Sequence, residues 1–342
     1  MPERSSAGQS QTKSSGLNEA PAHDGVSGQP AASHPAIGQT IIAVDSATQH
    51  LIHQARKVAK TRATVLIQGE SGSGKDQLAQ FIHFSGPTAD QPYVKIDCTA
   101  LPIELVESEL FGYEPGAFTG ASSQKRGRVE LAEGGTLVLD EIAALSLSSQ
   151  AKLLRVLEDR KYQRLGGTQD IEVNARILAL TNINLEEAVA QKSFREDLFF
   201  RLNVVPLHVP PLRERHADIL PLAEHLLKQV SEIHRRPRRK LSKPAAKALE
   251  AYSFPGNVRE LRNVLERAVI QNASETIELR DLPEHLQRSP GNRDGKRTLE
   301  DVEREYIAEI LDHTRGKKSL AAQILGISRK TLLEKRKKYK LL

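Results

Sequence analysis

Cysteine is almost absent from this chain of 342 residues, in which Cys98 is the only one. A single thiol excludes an internal disulfide. Long apolar runs are also missing, since no stretch approaches the roughly 18 residues that a membrane span needs. The first residues, MPERSSAGQSQTKSSG, lack the apolar segment of a signal peptide. We therefore expect a protein of the reducing cytoplasm that has no membrane partner.

Large apolar side chains are nearly missing from residues 1 to 40, which are rich in Ser, Gly, Gln, Pro and Ala. Such a segment cannot bury enough surface to offset the entropy lost on ordering. We predict a disordered tail over 1–40, too polar to form a regulatory domain. The remaining length suffices for two or three domains.

Short apolar runs alternate with helical patterns from Ile41 onward. The runs are TVLIQG (64–69), TLVLDE (136–141) and RILALTN (176–182), and helical stretches such as QLAQFIHF and AKLLRVLEDRKY separate them. This alternation predicts an α/β domain over 41–214, with a parallel sheet covered by helices. After VPPLRER the strand patterns cease, which predicts a helical subdomain over 215–286. A polar linker over 287–297 and a compact helical unit over 298–342 follow.

The segment GESGSGK (69–75) matches the G-x-x-x-x-G-K pattern, between an apolar strand and an amphipathic helix. Backbone N–H groups of such a loop and the helix N-terminus form an anion site, and Lys75 would reach the β- and γ-phosphates. A chance match in a structural loop is the alternative. Asp76 stands where Ser or Thr normally binds Mg²⁺, and its carboxylate can hold the metal directly or through water. The candidate nucleotide-binding residues are Gly69, Glu70, Ser71, Gly72, Ser73, Gly74, Lys75 and Asp76.

Charged residues of catalytic type follow at two further places. Asp140 at the end of TLVLDE is placed to hold Mg²⁺, and Glu141 is placed to orient and deprotonate an attacking water. Such an acidic pair can also cap a helix, but the phosphate loop favours catalysis. Arg195 and Arg201 are either surface ion-pair residues or fingers that stabilise phosphate charge in a neighbouring subunit's site. The finger interpretation requires an oligomer.

A glycine-flanked aromatic lies in the run ELFGYEPGAFTGA. Its ring has no periodic face on which to pack, so it either folds back onto the core or makes a movable contact with a partner. The residues concerned are Gly116, Ala117, Phe118, Thr119, Gly120 and Ala121.

The C-terminal end is strongly basic, because residues 315–342 carry ten Lys or Arg and the single acid Glu334. This is the electrostatic footprint of a nucleic-acid reader. Two short helices joined by a glycine turn, a helix-turn-helix, are indicated by Leu320, Ile324, Leu325, Gly326, the N-cap Ser328 and the inward-facing Leu332. A solvated basic tail, or a basic hairpin that binds RNA or protein, is the alternative. The candidate DNA contacts are Ser328, Arg329, Lys330 and Arg336.

From about Ile41 to Leu286 the chain resembles the AAA+ domain of bacterial enhancer-binding proteins, the sigma-54-dependent transcription activators. The resemblance rests on GESGSGKD, ESELFGYEPGAFTGA, GGTLVLDEI, QAKLLRVLEDRKYQRLGG, FREDLFFRL, VPPLRER and FPGNVRELRNVLERAV. The C-terminal unit resembles the Fis-type DNA-binding domain that ends such activators. An acid after the phosphate-loop lysine is usual in that family.

This resemblance implies an ATPase that uses ATP and Mg²⁺ and works as a ring, most commonly a hexamer. It implies that Thr181 and Asn182 sense the γ-phosphate and that Arg259 is a sensor on a helical lid. The GAFTGA loops would engage sigma-54 in promoter-bound RNA polymerase, and KYQRLGGTQDIEVNA resembles the hairpin that precedes the first sensor. Because no regulatory domain is expected before Ile41, control is expected in trans, by a partner regulator or through expression, unless the N-terminus is truncated.

Asp97, in YVKIDCTAL, stands where such activators commonly have Asn beside the catalytic glutamate. Two close carboxylates raise the pKa of one of them. We therefore expect Asp97 and Glu141 to share a proton in the resting state. A solvated Asp97 without contact to Glu141 is the alternative.

Taken together, the sequence predicts a sigma-54-dependent activator that binds upstream enhancer DNA through residues 298–342 and hydrolyses ATP to open the promoter complex. A DNA-binding repressor with a nucleotide-gated oligomerisation core is an alternative, but it predicts loss of Glu141, the arginines or GAFTGA, and all are present. A replication initiator or helicase loader would leave GAFTGA without a purpose.

Overall fold

The computed structural model describes residues 41–272, 274–287, 299–314 and 318–339. The strands are β1 Val65–Gln68, β2 Tyr93–Asp97, β3 Gly112–Tyr113, β4 Lys125–Arg126, β5 Thr136–Asp140, β6 Lys161–Tyr162, β7 Ile171–Glu172, β8 Arg176–Thr181, β9 Val205–His208, β10 Lys240–Leu241 and β11 Thr276–Ile277. The helices are α1 Ser46–Ala59, α2 Lys75–Phe84, α3 Ile103–Phe111, α4 Arg128–Leu131, α5 Leu147–Asp159, α6 Leu185–Ala190, α7 Glu196–Leu202, α8 His216–Ile233, α9 Lys243–Glu250, α10 Asn257–Gln271, α11 Glu284–Gln287, α12 Leu299–His313, α13 Lys318–Ile324 and α14 Arg329–Lys338. Of these described helices, none is long and apolar enough to cross a membrane. The predicted tail over 1–40, and the predicted linker apart from Gln287, lie outside the described residues.

Five parallel strands form the central sheet, in the order β2-β5-β8-β1-β9. The interior strands β1, β5 and β8 read as largely apolar runs because helices cover both faces of the sheet. Leu137 and Leu139 contact the layer that contains α3, α5 and α7, whereas Val138 contacts the layer that contains α1 and α2. The predicted α/β fold with a covered parallel sheet is confirmed, and its three predicted runs are β1, β5 and β8.

All five strands end at one edge of the sheet. Asp97 pairs with Asp140 in the register between β2 and β5, and Gln68 pairs with Thr181 between β1 and β8. In open α/β sheets ligands bind in the crevice beyond the carboxyl ends of the strands. The sheet therefore places the candidate catalytic residues of three different strands around one crevice.

Two short hairpins interrupt the alternation of strands and helices. β3 and β4 enclose the loop that contains GAFTGA, between α3 and α4. β6 and β7 form the second hairpin, between α5 and β8, within the segment KYQRLGGTQDIEVNA. A bridge between Tyr113 and Leu165 joins the two hairpins.

The helices α8, α9, α10 and α11 pack around a core of their own, which includes Leu226, Leu227, Phe254, Leu261, Leu265 and Val269. The expectation of a helical subdomain after residue 215 is met in its helices but was wrong about strands. β10 and β11 form a parallel pair two residues long. Strands this short leave no alternating pattern in a sequence, which is why they were missed.

The last three helices, α12, α13 and α14, enclose Ile307, Leu311, Ala321, Ala322 and Leu332. Gly326 makes the turn with φ of +64°, and the Ser328 side chain caps α14 by accepting a hydrogen bond from the Thr331 backbone N–H at 3.0 Å. The turn and the cap thus follow the sequence pattern.

The large apolar residues that mark α13 in the sequence do not form its inner face. Leu320 and Ile324 are each 45% exposed, whereas the smaller Ala321 and Ala322 are buried. Small side chains on the inner face let α13 lie close against its neighbours. The larger residues are left on the outer face.

Leu332 and its neighbour Leu333 give a matched test of this packing. Leu332 is 0% exposed and Leu333 is 43% exposed. We expect Leu332→Ala to lower the local stability of α13 and α14 by about 2–4 kcal/mol, because it leaves a cavity. Leu333→Ala should change it by less than about 0.5 kcal/mol. Amide hydrogen exchange of the full chain measures both, and equal protection of the two helices in both variants would contradict this packing.

Candidate nucleotide site and the loops linked to it

The phosphate loop, residues 69–75, leaves β1 at the carboxyl edge of the sheet and enters α2. Gly72 has φ of +74°, and a Cβ there would lie 2.6 Å from the carbonyl oxygen of Gly256. Only glycine combines that backbone conformation with so close an approach. α2 begins at Lys75, so its unpaired N–H groups and the positive end of its dipole face the loop. This is the local structure that binds phosphate.

Lys75 is buried between the loop and the candidate general base. Its Nζ donates a hydrogen bond to the Gly69 carbonyl oxygen at 2.9 Å and lies 3.5 Å from Glu141 Oε1. The ammonium group therefore stands where it can exchange the Glu141 carboxylate for a phosphate oxygen.

Glu141 adopts a left-handed backbone conformation, with φ of 52° and ψ of 54°. This conformation is uncommon for residues other than glycine, and strain of this kind clusters at functional sites. Its Oε2 accepts a hydrogen bond from the Asn182 backbone N–H at 3.1 Å. The carboxylate is therefore held between Lys75 and the end of β8.

The end of β8 links the acid to the phosphate loop. Thr181 is buried, its Oγ1 accepts a hydrogen bond from the Ile183 N–H at 3.2 Å, and its carbonyl oxygen accepts one from the Gly69 N–H at 3.2 Å. Asn182 is exposed beside Glu141. The two predicted sensor residues thus lie between the loop and the acid.

Asp76 and Asp140, the predicted metal ligands, converge on one cation, the ammonium group of Lys95. Its Nζ lies 2.5 Å from Asp76 Oδ1 and 2.7 Å from Asp140 Oδ2. Within the described parts of the chain, no three His, Cys, Asp or Glu side chains form a metal cluster. Mg²⁺ is usually held by one or two carboxylates together with substrate phosphates and water rather than by an all-protein cage. Two carboxylates that already meet around a positive charge fit this requirement.

The start of α10 holds the phosphate loop from the lid side. The Val258 N–H donates to the Gly72 carbonyl oxygen at 3.0 Å, and Asn257 Nδ2 donates to the Ser71 carbonyl oxygen at 3.1 Å. Arg259, the predicted lid sensor, donates from Nη1 to Ser71 Oγ at 2.8 Å. Three consecutive residues of the lid therefore donate hydrogen bonds to the phosphate loop. Two of these bonds go to the carbonyl oxygens of Ser71 and Gly72, and the third goes to the Ser71 hydroxyl group.

Glu70 ties the loop to the segment VPPLRER. Its carboxylate accepts hydrogen bonds from Arg213 at 2.6 and 2.9 Å and from Asn257 at 3.0 Å, and these bonds, with that to Arg213 the stronger, lower the pKa of Glu70 to about 2. Arg215, which is buried, donates to the Ser73 carbonyl oxygen. Glu70 thus binds the lid rather than facing the crevice.

Asp97 departs from its predicted role. Its Oδ1 accepts hydrogen bonds from the Thr99 hydroxyl at 2.7 Å and from the Thr99 N–H at 2.8 Å, and these bonds hold the pKa of Asp97 below its ordinary value. The Glu141 carboxylate bonds instead to Lys75 and Asn182. The expectation that a raised pKa lets Asp97 share a proton with Glu141 is therefore wrong, because Thr99 stabilises the ionised form.

Arg195 and Arg201 are engaged outside the crevice in the single chain. Arg195 precedes α7 and forms a two-point ion pair with Asp197, at 3.0 and 2.6 Å. Arg201, near the end of α7, lies 3.2 Å from Glu158 of α5. Both guanidinium groups are exposed, so they are accessible to a second subunit.

The GAFTGA loop projects its central residues into solvent. Phe118 is 43% exposed and meets Tyr113 edge-on, with 4.9 Å between the ring centroids, while Thr119 is exposed. The Gly116 N–H donates to the Ala121 carbonyl oxygen at 2.8 Å, which closes the base of the turn. The ring therefore rests on a neighbour within its own loop, and burial in the domain core does not hold it.

Arg164 connects the β6–β7 hairpin to the base of this loop. Its guanidinium group is mostly buried and donates to Glu114 Oε1 at 2.7 Å and to Glu130 Oε2 at 2.8 Å. The Glu114 N–H also donates to the Leu165 carbonyl oxygen at 3.0 Å. These contacts link the hairpin to Glu114, which lies two residues before GAFTGA.

At the C-terminal unit, Arg329 and Lys330 are exposed in the first turn of α14. The Ser328 hydroxyl group is engaged in the N-cap of α14. Lys338 pairs with Glu300 of α12 at 2.6 Å. Among the predicted DNA contacts, Arg329 and Lys330 therefore present exposed positive charge in the first turn of α14, while Arg336 is half-buried.

Three family models match the chain in succession. They are the sigma-54 interaction domain over residues 41–208, an AAA+ ATPase lid domain over 213–299, and the Fis-family domain of bacterial regulatory proteins over 298–339. The regulatory protein AtoC of Escherichia coli K12 is 43% identical over 311 residues, which cover 87% of this chain and 67% of AtoC. The chain belongs to the sigma-54-dependent transcription regulators. It therefore contains the AAA+ ATPase domain of that family.

Further relatives agree. The transcriptional regulatory protein ZraR of Salmonella typhimurium is 42% identical, over 93% of this chain and 73% of ZraR. The nitrogen fixation protein AnfA of Azotobacter vinelandii is 46% identical, but the chain covers only 57% of its length. The crystal structure of NtrX from Brucella abortus in complex with ATP superposes with a TM-score of 0.68 at 35% identity, over 88% of this chain and 70% of NtrX.

Several residues of this sigma-54 regulator were given no role from the sequence, among them Lys95, Arg213, Arg215 and Asn257. The last three lie in VPPLRER and FPGNVREL, segments that carry the family resemblance but contain no pattern of known chemistry. Lys95 could have been found from strand periodicity, because it precedes Asp97 by two residues on β2, beside the strand of Asp140.

The corrected role of Asp97 predicts how Asp97→Asn behaves. A lowered pKa means that Asp97 is ionised throughout pH 5.5 to 7.5; its stabilising bonds are fully present above the unfolded value of about 3.9 and are lost only as pH falls through the lower folded value. Basal ATPase activity of Asp97→Asn should therefore follow the same pH dependence as the wild type over this range. Thr99→Ala is the control, because it removes the hydroxyl group that donates to Asp97 and leaves both carboxylates in place. A flatter pH profile for Asp97→Asn at saturating ATP and Mg²⁺ would contradict this prediction and support a proton shared by Asp97 and Glu141.

Proposed function

We propose that this chain assembles as a hexameric ring, hydrolyses ATP with Mg²⁺, and uses its GAFTGA loops to drive sigma-54 RNA polymerase into the open complex. The observation that carries the proposal is the convergence of the phosphate loop, Glu141 and the lid residue Arg259 on one crevice. The GAFTGA loop lies outside that crevice and is joined to it through the β6–β7 hairpin.

The roles within the crevice follow from the contacts. The N-terminus of α2 and Lys75 bind the phosphates, and a γ-phosphate that draws Lys75 away releases Glu141 to act as general base toward water. Asp140 and Asp76 are the ligands for Mg²⁺, which when bound neutralises charge on the phosphate oxygens. Thr181 and Asn182 lie beside both groups, in a position to report the state of the γ-phosphate.

The ring is supported by the two exposed arginines. Neither Arg195 nor Arg201 contributes to the crevice of its own chain. Arg195 lies at the start of α7 and Arg201 in its last turn, and a phosphate could replace the acidic partner of each. Arginines supplied by a neighbour stabilise developing charge on a transferred phosphoryl group. We assign them this role across the subunit interface.

DNA recognition belongs to α14. Its first turn offers Arg329 and Lys330 to a major groove and its phosphates, in the manner of the second helix of a helix-turn-helix. Enhancer DNA bound there would bring the ring near a promoter in the cytoplasm.

Open-complex formation tests the function. We expect the full chain to open a sigma-54 promoter in an ATP-dependent manner and to leave a promoter of the common sigma factor unopened. Thr119→Ala should keep its ATPase activity and lose sigma-54 binding in the presence of a transition-state nucleotide, because Thr119 is exposed on the loop and outside the crevice.

Two results would contradict this assignment. Equal opening of both promoters would remove sigma-54 specificity. Loss of ATPase activity in Thr119→Ala with retained sigma-54 binding would mean that the loop serves the nucleotide site instead.

A mixed ring tests the arginine assignment. Arg201→Ala should abolish hydrolysis while each subunit still binds nucleotide, since the finger acts on the neighbour. Glu141→Gln should also be inactive, because the general base is missing. Rings mixed from the two variants contain interfaces with an intact acid and an intact arginine, so partial activity should return. A mixture as inactive as either variant would place Arg201 in cis or in folding.

A further inference from the structure

Lys95 lies at the centre of a cluster of acids on the carboxyl edge of the sheet. Its ammonium group bonds to Asp76 of α2 and to Asp140 of β5, and Asp97 follows two residues later on its own strand. Burial of Lys95 lowers its pKa, but the bonds to Asp140 and Asp76 outweigh burial and leave the pKa raised. Lys95 is therefore the counter-charge of the two proposed metal ligands.

The position of this ammonium group coincides with that expected for a divalent ion. Two carboxylates that approach one point repel each other unless a cation lies between them. Both Lys95 bonds are short, and the side chain is only 33% exposed, so water screens the pair incompletely. A metal ion that binds the same two oxygens competes with the ammonium group, because two cations at so short a distance repel each other.

Asp97 offers a place for the displaced group. Residues two apart on a strand project to the same face, about 7 Å apart, which is within the reach of a lysine side chain. The Lys95 charge already contributes to the lowered pKa of Asp97. An amide at position 97 would not provide this negative charge.

We propose that Lys95 is a positioning residue that holds Asp76 and Asp140 together in the metal-free site and competes with Mg²⁺ for their oxygens. The nucleotide must then deliver Mg²⁺ and displace Lys95 toward Asp97. This inference rests on the proposed Mg²⁺-dependent nucleotide site. It assigns the chain a built-in cation that keeps the site closed to Mg²⁺ alone.

The first experiment uses Lys95→Gln and needs no activity. Thermal melting of the full chain without nucleotide, in EDTA and in millimolar Mg²⁺, should give wild-type melting temperatures that agree. Lys95→Gln should melt lower than wild type in EDTA, because its carboxylates repel, and should regain the difference in Mg²⁺. Lys152→Gln is the matched control, since Lys152 is similarly exposed and bonds Glu107 at 2.7 Å outside the site.

The second experiment measures the Mg²⁺ concentration that half-saturates binding of a fluorescent ADP. It should fall about fivefold or more in Lys95→Gln, the ratio expected when one partly exposed ion pair of about 1 kcal/mol no longer competes. The half-saturating Mg²⁺ concentration of Lys95→Arg, which keeps the positive charge, should stay near that of the wild type. Lys152→Gln should be unchanged.

The outcomes separate the inference from the proposed function. Equal loss of melting temperature in EDTA and in Mg²⁺ would make Lys95 merely structural and overturn the inference. An unchanged Mg²⁺ requirement in Lys95→Gln would overturn it as well. A wild-type chain that binds no fluorescent ADP at any Mg²⁺ concentration would overturn the proposed function, and the melting experiment with Mg²⁺ alone would still decide the inference.

Discussion

The contact between the phosphate loop and the start of α10 is the constraint on which the rest of the site depends. Gly72 approaches the lid so closely that no side chain fits between them, and the Val258 N–H bonds to its carbonyl oxygen. Asn257 takes a left-handed conformation, with φ of 52°, to reach the loop. Because the loop backbone and the lid helix share these bonds, a movement of either one alone would break them.

A second set of contacts leads from the crevice toward the GAFTGA loop. β7 runs almost directly into β8, whose end contacts both the phosphate loop and Glu141, and the hairpin that begins this segment carries Arg164. Contiguity of this kind is a condition for coupling rather than a demonstration of it, since coupling also needs an element with two states. In the proposed site the Glu141 carboxylate would supply such an element, because the same Lys75 that holds it is the group that a γ-phosphate would attract.

The sequence predicted the long, regular parts of the molecule, and it failed where local patterns are short or ambiguous. β1, β5 and β8 could be predicted because a strand buried on both faces must be apolar throughout. The pair β10–β11 could not, since two residues carry no periodicity. The inner face of α13 could not be predicted from its large apolar residues, because residue size outweighs hydrophobicity in a close helix contact, so Ala321 is buried and Leu320 is not. Sequence motifs located the crevice, but only the three-dimensional structure shows which group binds each acid.

The partner of each acid decides how the site can respond to nucleotide. Asp97 is satisfied by Thr99, Glu141 by Lys75 and Asn182, and Asp76 and Asp140 by Lys95. Each acid at this edge thus has a donor before any ligand arrives, but the four carboxylates face only the two ammonium groups of Lys75 and Lys95. A triphosphate entering such a site brings negative charge and needs its own cation. Nucleotide binding would then exchange existing ion pairs for new ones. Lys75 and Lys95 are the groups that would change partner, and through them the phosphates would act on the acids at the ends of β2 and β5 and on the end of β8.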